Sequence, residues 1–244
     1  MFNIFRRAKP KLSDLIPKNF VDIHSHVLPG IDDGAKNIEE SLELIEKMKK
    51  IGFSKVVCTP HTYPGLYDNT NKTIQKSFNL LRKHKIKLKL DYASEYMLNQ
   101  SIIEKAEKKS LLTIKENYIL VEISFISEPL NLFDIIFHLQ INGYYPILAH
   151  PERYRYLFHK KSNFHKLKKS GCLFQMNFNS IIGYYGEDVR KISEYLLSQN
   201  MVDFIASDIH NKNHINMIVE KKIKLKNINI NKLEGIFQKS EVFK

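Results

Sequence analysis

Residues 21–34 read VDIHSHVLPGIDDG, and this stretch decides how the rest of the chain is interpreted. His24 and His26 are two apart after an apolar, β-prone lead-in, and side chains at i and i+2 of a strand share one face. Both imidazoles can therefore bind one metal ion, with Asp32 or Asp33 reaching it from the following loop. Such ligands suit Zn, Fe or Mn, and oxygen ligands favour harder ions such as Mn. Two histidines in a strand are more often ordinary core or surface residues, so the hypothesis requires further ligands elsewhere.

Length and composition are those of one folded α/β domain. The chain has 244 residues, 43% hydrophobic and 11% aromatic, and single α/β barrels run to about 250 residues. We expect a single domain over residues 20–244, preceded by an N-terminal arm at residues 1–19. The arm is predicted to pack on the domain, with contact between residues 2–11 and an anionic membrane as the alternative. Two cysteines and no apolar run near the ~20 residues of a membrane span predict a reducing, cytoplasmic location.

The net charge of +12 raises the question of nucleic-acid binding. Much of the excess is scattered lysine among Asn and Ile residues, as in KLKNININK. The chain has neither the aromatic and basic signature of an RNA-binding domain nor zinc-finger spacing. Specific nucleic-acid binding is therefore not favoured.

Hydrophobic periodicity predicts that strands alternate with helices along the whole chain. The predicted strands cover residues 20–23, 55–58, 86–92, 118–123, 145–149, 172–176 and 202–206. The predicted helices cover residues 37–51, 73–84, 101–108, 130–142, 162–170 and 187–199. Seven strands that alternate with helices, without a nucleotide-binding glycine loop, predict a parallel α/β sheet closed as a TIM-like (β/α)7 barrel. The tail after Asn216 is predicted to be a basic helix or a helix–strand pair.

Ligand-type side chains follow the ends of at least six predicted strands, where the functional groups of α/β barrels gather. These candidates are His24, His26, Asp33, His61, Glu95, Glu122, His150, Asp208 and His210. Nine ligands are too many for one ion and predict a cluster. Such a cluster brings the pKa of a shared water to near neutral and supplies a hydroxide nucleophile, as phosphoryl transfer requires.

Arg153 follows His150 by three residues, and its planar guanidinium could bind two phosphate oxygens. The alternative for Arg153 is a salt bridge to Glu152 or another carboxylate. A cysteine-based phosphatase is disfavoured, because the arginine such enzymes carry six residues after the cysteine is replaced here by Pro64 and by Phe178.

The motifs DIHSHVLPGIDDG, CTPHT, SEY, LVEIS, AHPERY and ASDIH, in that order, resemble the polymerase-and-histidinol-phosphatase (PHP) superfamily. More closely, residues 20–210 resemble its bacterial CpsB/YwqE-type tyrosine phosphatases. The resemblance implies a distorted barrel with three divalent ions, most often Mn, with Fe or Zn as alternatives. It also implies hydrolysis of phosphotyrosine in a protein, namely the tail of a tyrosine kinase that controls capsule or exopolysaccharide synthesis.

The resemblance also implies a role for each matched residue. His24, His26, Glu95 and Asp208 would bind the first ion, Glu95, Glu122 and His150 the second, and Asp33, His61 and His210 the third. Asp32 is the fallback for Asp33. Arg153 would bind phosphate, and with Glu95 and Asp208 it is a candidate catalytic residue.

The chain departs from the family after its last motif, where the sequence NKNHIN lacks the second arginine that the family often has. Substrate phosphate would then contact Arg153 and the ions alone, or also Lys212 or His214. Three alternative functions stay open at this point: a small-molecule phosphatase of the histidinol-phosphate type, a nuclease, and a non-catalytic module that keeps the metals for structure. The sequence leaves open the oligomeric state and the general acid.

Overall fold

The structure is a computed structural model that describes residues 9–226 and 229–244. Nine strands lie within these residues. They are β1 Phe20–Asp22, β2 Phe53–Cys58, β3 His61–Thr62, β4 Lys89–Tyr92, β5 Glu95–Met97, β6 Tyr118–Glu122, β7 Tyr145–Ala149, β8 Leu173–Asn177 and β9 Phe204–Ala206. Every pairing between them is parallel.

The nine strands occupy seven positions around a ring. The strand orders are β1-β2-β4 and β3-β5-β6-β7-β8-β9. Because β3 continues β2 and β5 continues β4, the two sheets share two positions. A parallel bridge between Ser25 and Ile209 joins the first position to the last. The backbone bonds Asp208 N to His24 O and His26 N to Ile209 O are both 2.9 Å. The predicted α/β fold with seven strand positions in a distorted TIM-like barrel is confirmed.

Two of the seven positions are interrupted at the edge of the ring where the strands end. Pro60 has no N–H and separates β2 from β3, since proline cannot donate to a strand ladder. Ala93 and Ser94 separate β4 from β5. After these breaks His61 and Glu95 pair in register, so two candidate ligands become neighbours.

Nine α-helices within the described residues connect and cover the strands. They are α1 Ile38–Lys50, α2 Asn71–Leu81, α3 Ser101–Glu107, α4 Leu132–Ile141, α5 Ser162–Lys169, α6 Phe178–Ile181, α7 Glu187–Ser198, α8 Lys212–Glu220 and α9 Ile230–Lys239. In α1 the Asn37 side chain caps the first turn by accepting from Glu40 N, and Leu44, Ile45 and Met48 are buried. No described helix has both the length and the apolar character that a membrane crossing requires.

The sequence located most elements but not all of their bounds. The third predicted strand, over residues 86–92, is confined to Lys89–Tyr92. The short helix α6 directly follows β8 and was not predicted. The tail contains two helices, and the first of them begins at Lys212, before the predicted start.

Residues 9–19 run along the body of the protein. Leu12 N donates to Lys221 O and Ile223 N donates to Pro10 O, each at 3.1 Å. Leu12 and Ile16 are buried in the main hydrophobic core. The alternative membrane contact was expected for residues 2–11, and most of these lie outside the described residues.

Gly34 holds the loop after β1 close to the first histidine pair. A Cβ atom at Gly34 would lie 2.0 Å from His26 O and 2.6 Å from His26 Cβ, which no real contact allows. Only glycine therefore lets the segment with Asp32 and Asp33 fold back over the strand end.

We expect Gly34→Ala to lower the free energy of unfolding by about 2 kcal/mol or more, because the added methyl displaces backbone. Gly235→Ala is the matched control, since Gly235 lies in α9 with no atom near the new methyl. It should raise the free energy of unfolding by about 0.5–1 kcal/mol. Urea unfolding of chelator-treated protein measures both. Equal stabilities of the two variants would contradict the close approach.

Candidate metal centre

The structure brings all nine predicted ligands to one end of the strand ring. They fall into four overlapping groups in which the potential ligand atoms lie within 4.8 Å of one another. The groups are His24, His26 and Glu95; His24, His150 and Asp208; His61, Glu95 and Glu122; and His26, Asp33, His61 and His210. Because residues are shared between groups, the nine side chains form one continuous cluster.

The centre of the cluster consists of four fully or almost fully buried side chains. The Nε2 atoms of His24 and His26 are 3.1 Å apart. Glu95 Oε2 lies 3.3 Å from His24 Nε2 and 3.4 Å from His26 Nε2. Asp208 Oδ1 lies 3.2 and 3.5 Å from the same two atoms. Two imidazoles and two carboxylates therefore point at one small volume.

Glu95 connects this centre to the rest of the cluster. Its Oε1 lies 3.1 Å from His150 Nε2, and its Oε2 lies 3.0 Å from His61 Nδ1. His61 Nδ1 is also 2.8 Å from Glu122 Oε1. The resemblance implied that His150 and Glu122 share an ion. The geometric groups instead join His150 with His24, and Glu122 with His61.

The two neighbouring aspartates have different positions. Asp33 is half-exposed, and its Oδ1 lies 3.5 Å from His61 Nε2 and 3.4 Å from His210 Nε2. Asp32 instead bonds to the far nitrogen of His26: its Oδ2 accepts from His26 Nδ1 at 2.7 Å and from the backbone N of His61 at 3.1 Å. Asp33 thus belongs to a ligand group, whereas Asp32 orients His26 and leaves its Nε2 facing the cluster.

The electrostatics of the cluster fit a bound cation. Burial lowers the pKa of His150 to about 4, which keeps its imidazole neutral as metal ligation requires. Burial and the charge of Glu95 raise the pKa of Glu122 to about 7. Glu95 Oε2, Asp208 Oδ1 and His150 Nδ1 are buried and make no hydrogen bond to any described residue. Buried polar atoms without a partner are costly unless they bind metal or water.

The backbone helps to aim two of the ligands. His150 and Asp208 follow β7 and β9 with φ values of +36° and +50°. Non-glycine residues rarely adopt this left-handed region, and such strain gathers at functional sites. The sharp turns place both side chains over the end of the ring.

Two residues of β8 support the cluster and were missed by the sequence analysis. His24 Nδ1 donates to Gln175 Oε1 at 2.7 Å, and Gln175 Nε2 donates to Asn177 Oδ1 at 3.0 Å. Asn177 Nδ2 then donates to Asp208 Oδ2 at 2.6 Å. This series of hydrogen bonds fixes the His24 tautomer so that Nε2 keeps its lone pair. The sequence feature that could have identified these two residues is a pair of side-chain amides at positions i and i+2 of an otherwise apolar strand.

Arg153 lies at the mouth of the cluster. Its guanidinium carbon is 4.7 Å from the Phe125 ring centre and 4.4 Å from that of Tyr185, and its NH1 donates to Asp208 Oδ2 at 3.1 Å. The alternative salt bridge to Glu152 does not form, since Glu152 Oε1 accepts from Asn177 N and from Ser180 Oγ. The alternative of a salt bridge to another carboxylate is what the structure shows, and that carboxylate is Asp208. The guanidinium therefore contacts two aromatic rings beside the ligands.

A cavity of about 250 Å³ opens above the cluster, and Asp33, His61, His150, Arg153, Asp208 and His210 line it. Of the two residues proposed to replace the missing second arginine, His214 lines this cavity. Lys212 instead forms an ion pair with Glu43 at 2.5 Å. Tyr67, on the loop after β3, stacks on the cavity residue His61, with ring centres 5.4 Å apart.

Neither cysteine is available as a nucleophile. Cys58 and Cys172 are both buried, and burial raises the pKa of each thiol, to about 12 for Cys172. A thiolate is the reactive form, so a buried thiol of raised pKa is inert.

Fold and donor set together define a class: an α/β barrel with a candidate polynuclear metal centre at the carboxyl ends of its strands. Within that class, residues 20–232 match the family model described as capsular polysaccharide synthesis, CpsB/CapC. The chain belongs to the CpsB/CapC family, and the resemblance seen in the sequence is confirmed.

Several proteins of known name or structure are similar to the chain. CapC of Staphylococcus aureus is 31% identical over 91% of this chain and 88% of its own length. The tyrosine-protein phosphatase YwqE of Bacillus subtilis is 31% identical over 78% of this chain and 77% of its own. A crystal structure from a study of YwqE and of CpsB from Streptococcus pneumoniae, termed metal-dependent tyrosine phosphatases, superposes with a TM-score of 0.76. It is 27% identical and covers 91% of this chain and 93% of its own.

We expect Gln175→Leu to weaken divalent-metal affinity about 10- to 100-fold, because His24 loses the acceptor that fixes its tautomer. The control is Gln199→Leu, the same change at an exposed side chain after α7. Titration of chelator-treated protein with Mn²⁺, followed by calorimetry, measures the affinity without any enzymatic assay. Equal affinities in the two variants would argue against the supporting role of β8.

Proposed function

We propose that this chain is a metal-dependent phosphatase that hydrolyses phosphotyrosine in proteins. The observation that carries the proposal is the convergence of nine ligand-type side chains and Arg153 on one cavity. The named relatives support the substrate class, since YwqE and CpsB are called tyrosine-protein phosphatases.

We propose as ligands the nine side chains of the four groups: His24, His26, Asp33, His61, Glu95, Glu122, His150, Asp208 and His210. Nine donors suit three divalent ions, and the mixture of imidazole and carboxylate suits Mn, with Fe or Zn as alternatives. Bound divalent ions supply a hydroxide at neutral pH and neutralise charge on a phosphoryl group. The donor geometry and the unpaired buried atoms support this assignment.

The side chains have separate tasks in the proposed reaction. Arg153, whose guanidinium contacts the rings of Phe125 and Tyr185, donates to the phosphate oxygens of the substrate. Its present bond to Asp208 shows that the guanidinium reaches the ligand cluster. Glu95, with one oxygen toward His150 and the other toward His61, holds neighbouring parts of the cluster at a fixed spacing. A tyrosine phenolate, with a pKa of ~10, leaves more easily than an alkoxide, so the demand for a general acid is small.

The site is open enough for a phosphotyrosine on a protein surface. Tyr67 and Phe125 are aromatic side chains beside the cavity, and Phe125 is half-exposed. An aromatic rim suits an aromatic phosphoester better than an aliphatic one such as histidinol phosphate. By analogy with the capsule role in the family's name, the substrate we propose is the tyrosine-phosphorylated tail of a kinase that regulates capsule synthesis. The two free, buried cysteines fit a cytoplasmic location.

Glu95→Gln tests the proposal. It removes the charge from the group that connects the cluster, so we expect kcat/KM for a phosphotyrosine peptide with Mn²⁺ to fall at least 100-fold. Glu107→Gln, on an exposed turn of α3, is the control and should keep full activity. Turnover of histidinol phosphate well above that of the peptide by the wild type would instead indicate the small-molecule function. Metal-loaded protein without phosphatase activity would indicate a regulatory module.

Arg153→Lys keeps the positive charge but loses the planar pair of donors. We expect kcat/KM for the peptide to fall about 10- to 100-fold while the metal content stays that of the wild type. Steady-state kinetics and elemental analysis of the same preparation measure the two effects. Unchanged kinetics would remove Arg153 from phosphate binding.

A further inference from the structure

Positive charge is concentrated in one segment beside the metal centre. Residues 69–90, NTNKTIQKSFNLLRKHKIKLKL, contain seven lysines or arginines and no aspartate or glutamate. The segment therefore supplies seven positive charges to a chain whose net charge is +12. Charge concentrated on one surface, unlike scattered charge, attracts an anionic partner.

Helix α2 presents part of this charge along one face. Lys72 and Lys76 are four residues apart and share one side of α2, and Lys83, in the turn just after α2, lines the same groove. All three are exposed. None of their ammonium groups forms a salt bridge or hydrogen bond within residues 9–226 and 229–244, and α2 itself has no acidic residue. The repulsion between Lys72 and Lys76, four residues apart, is thus uncompensated in the isolated chain.

This face of α2 is one wall of a groove of about 760 Å³. Residues 29–31 line the groove opposite α2, and Pro29, Ile31 and Leu80 are apolar side chains in the same lining as the lysines. Leu80 is 46% exposed. Binding sites for small ligands and peptides have volumes of this order, and an apolar floor with charged edges suits a peptide chain.

The groove and the metal centre share a loop. Asn69 Nδ2 donates to Ile31 O at 2.9 Å and to His61 O at 2.7 Å, and Ser77 Oγ donates to Pro29 O at 3.0 Å. Residues 29–31 therefore lie against α2, and the same loop continues to Asp33 at the cavity. A chain with one side group in the cavity can continue over this loop into the groove.

We propose that the groove beside α2 binds an acidic segment of the protein substrate that flanks the phosphotyrosine. This inference rests on the proposed function and adds a substrate preference to it. Aspartate or glutamate side chains of the segment pair with Lys72, Lys76 and Lys83, and the apolar floor contacts its backbone and neighbouring side chains. The concave shape and the connection to the cavity favour a peptide over an anionic membrane surface.

The test compares two phosphotyrosine peptides, one with aspartate and glutamate and one with alanine on both sides of the phosphotyrosine. The enzyme variants are Lys76→Glu/Lys83→Glu and the matched control Lys166→Glu/Lys169→Glu on exposed positions of α5. Both double variants change the net charge by the same amount. The wild type should turn over the acidic peptide with about tenfold higher kcat/KM, since each exposed pair is worth a few tenths to 1 kcal/mol. This preference should weaken with added salt.

In Lys76→Glu/Lys83→Glu the preference should disappear, while turnover of p-nitrophenyl phosphate and of the alanine peptide stays unchanged. The α5 control should keep the preference. Equal kcat/KM for both peptides in the wild type, or an equal loss in both double variants, would overturn the proposal.

Two further measurements distinguish a failure of the proposed phosphatase function from a failure of the groove proposal. If no phosphotyrosine peptide is turned over, the proposed function fails, and fluorescence anisotropy of the same labelled peptides still tests the groove. The groove proposal would be supported if the wild type binds the acidic peptide more tightly than the alanine peptide, and if only Lys76→Glu/Lys83→Glu loses this difference. Sedimentation with phosphatidylserine vesicles tests the membrane alternative. Vesicle binding that the α2 variant loses, without any peptide preference, would overturn the proposal.

Discussion

Glu95 is a carboxylate without exposed surface, surrounded by the imidazoles of His24, His26, His61 and His150. Burying such a group costs several kcal/mol unless opposite charge compensates it, and Asp208 and Glu122 lie buried in the same region. The strongest constraint on the fold is therefore to hold several buried acids and imidazoles together. Bound metal cations would satisfy that constraint, and the buried oxygens Glu95 Oε2 and Asp208 Oδ1, which make no hydrogen bond to any described residue, are suited to bind them.

The barrel supplies the rigidity that such a site needs. Its parallel strands bring their carboxyl ends to one place, and the ladder fixes the spacing between neighbours such as His61 and Glu95. A second layer of side chains then orients the ligands: Asp32 holds His26, and Gln175 with Asn177 connects His24 to Asp208. Ligands held in this way need little reorganisation when ions bind.

The surroundings of the cluster determine what can reach it. On one side Arg153 lies between two aromatic rings, and on the other the loop with Asp33 continues into the basic groove beside α2. The seven positive charges of residues 69–90 create a field that extends beyond the cavity, whereas Arg153 acts at contact distance. In the proposed function, binding of phosphate and recognition of the surrounding peptide are therefore assigned to different parts of the structure.

The sequence by itself determined the order of the elements and the identity of the candidate ligands. Periodicity located seven strands, and ligand-type residues after six of the strand ends were readable because barrel geometry brings those ends together. The residue pattern alone could not decide whether Asp32 or Asp33 belongs to the ligand cluster, because the choice depends on which way the loop folds around Gly34. Nor could it find Gln175 and Asn177, or the partner of Arg153, since these are contacts between residues far apart in the chain. Local propensity acts over a few residues, whereas side-chain pairing across the barrel is decided only when all the strands have packed.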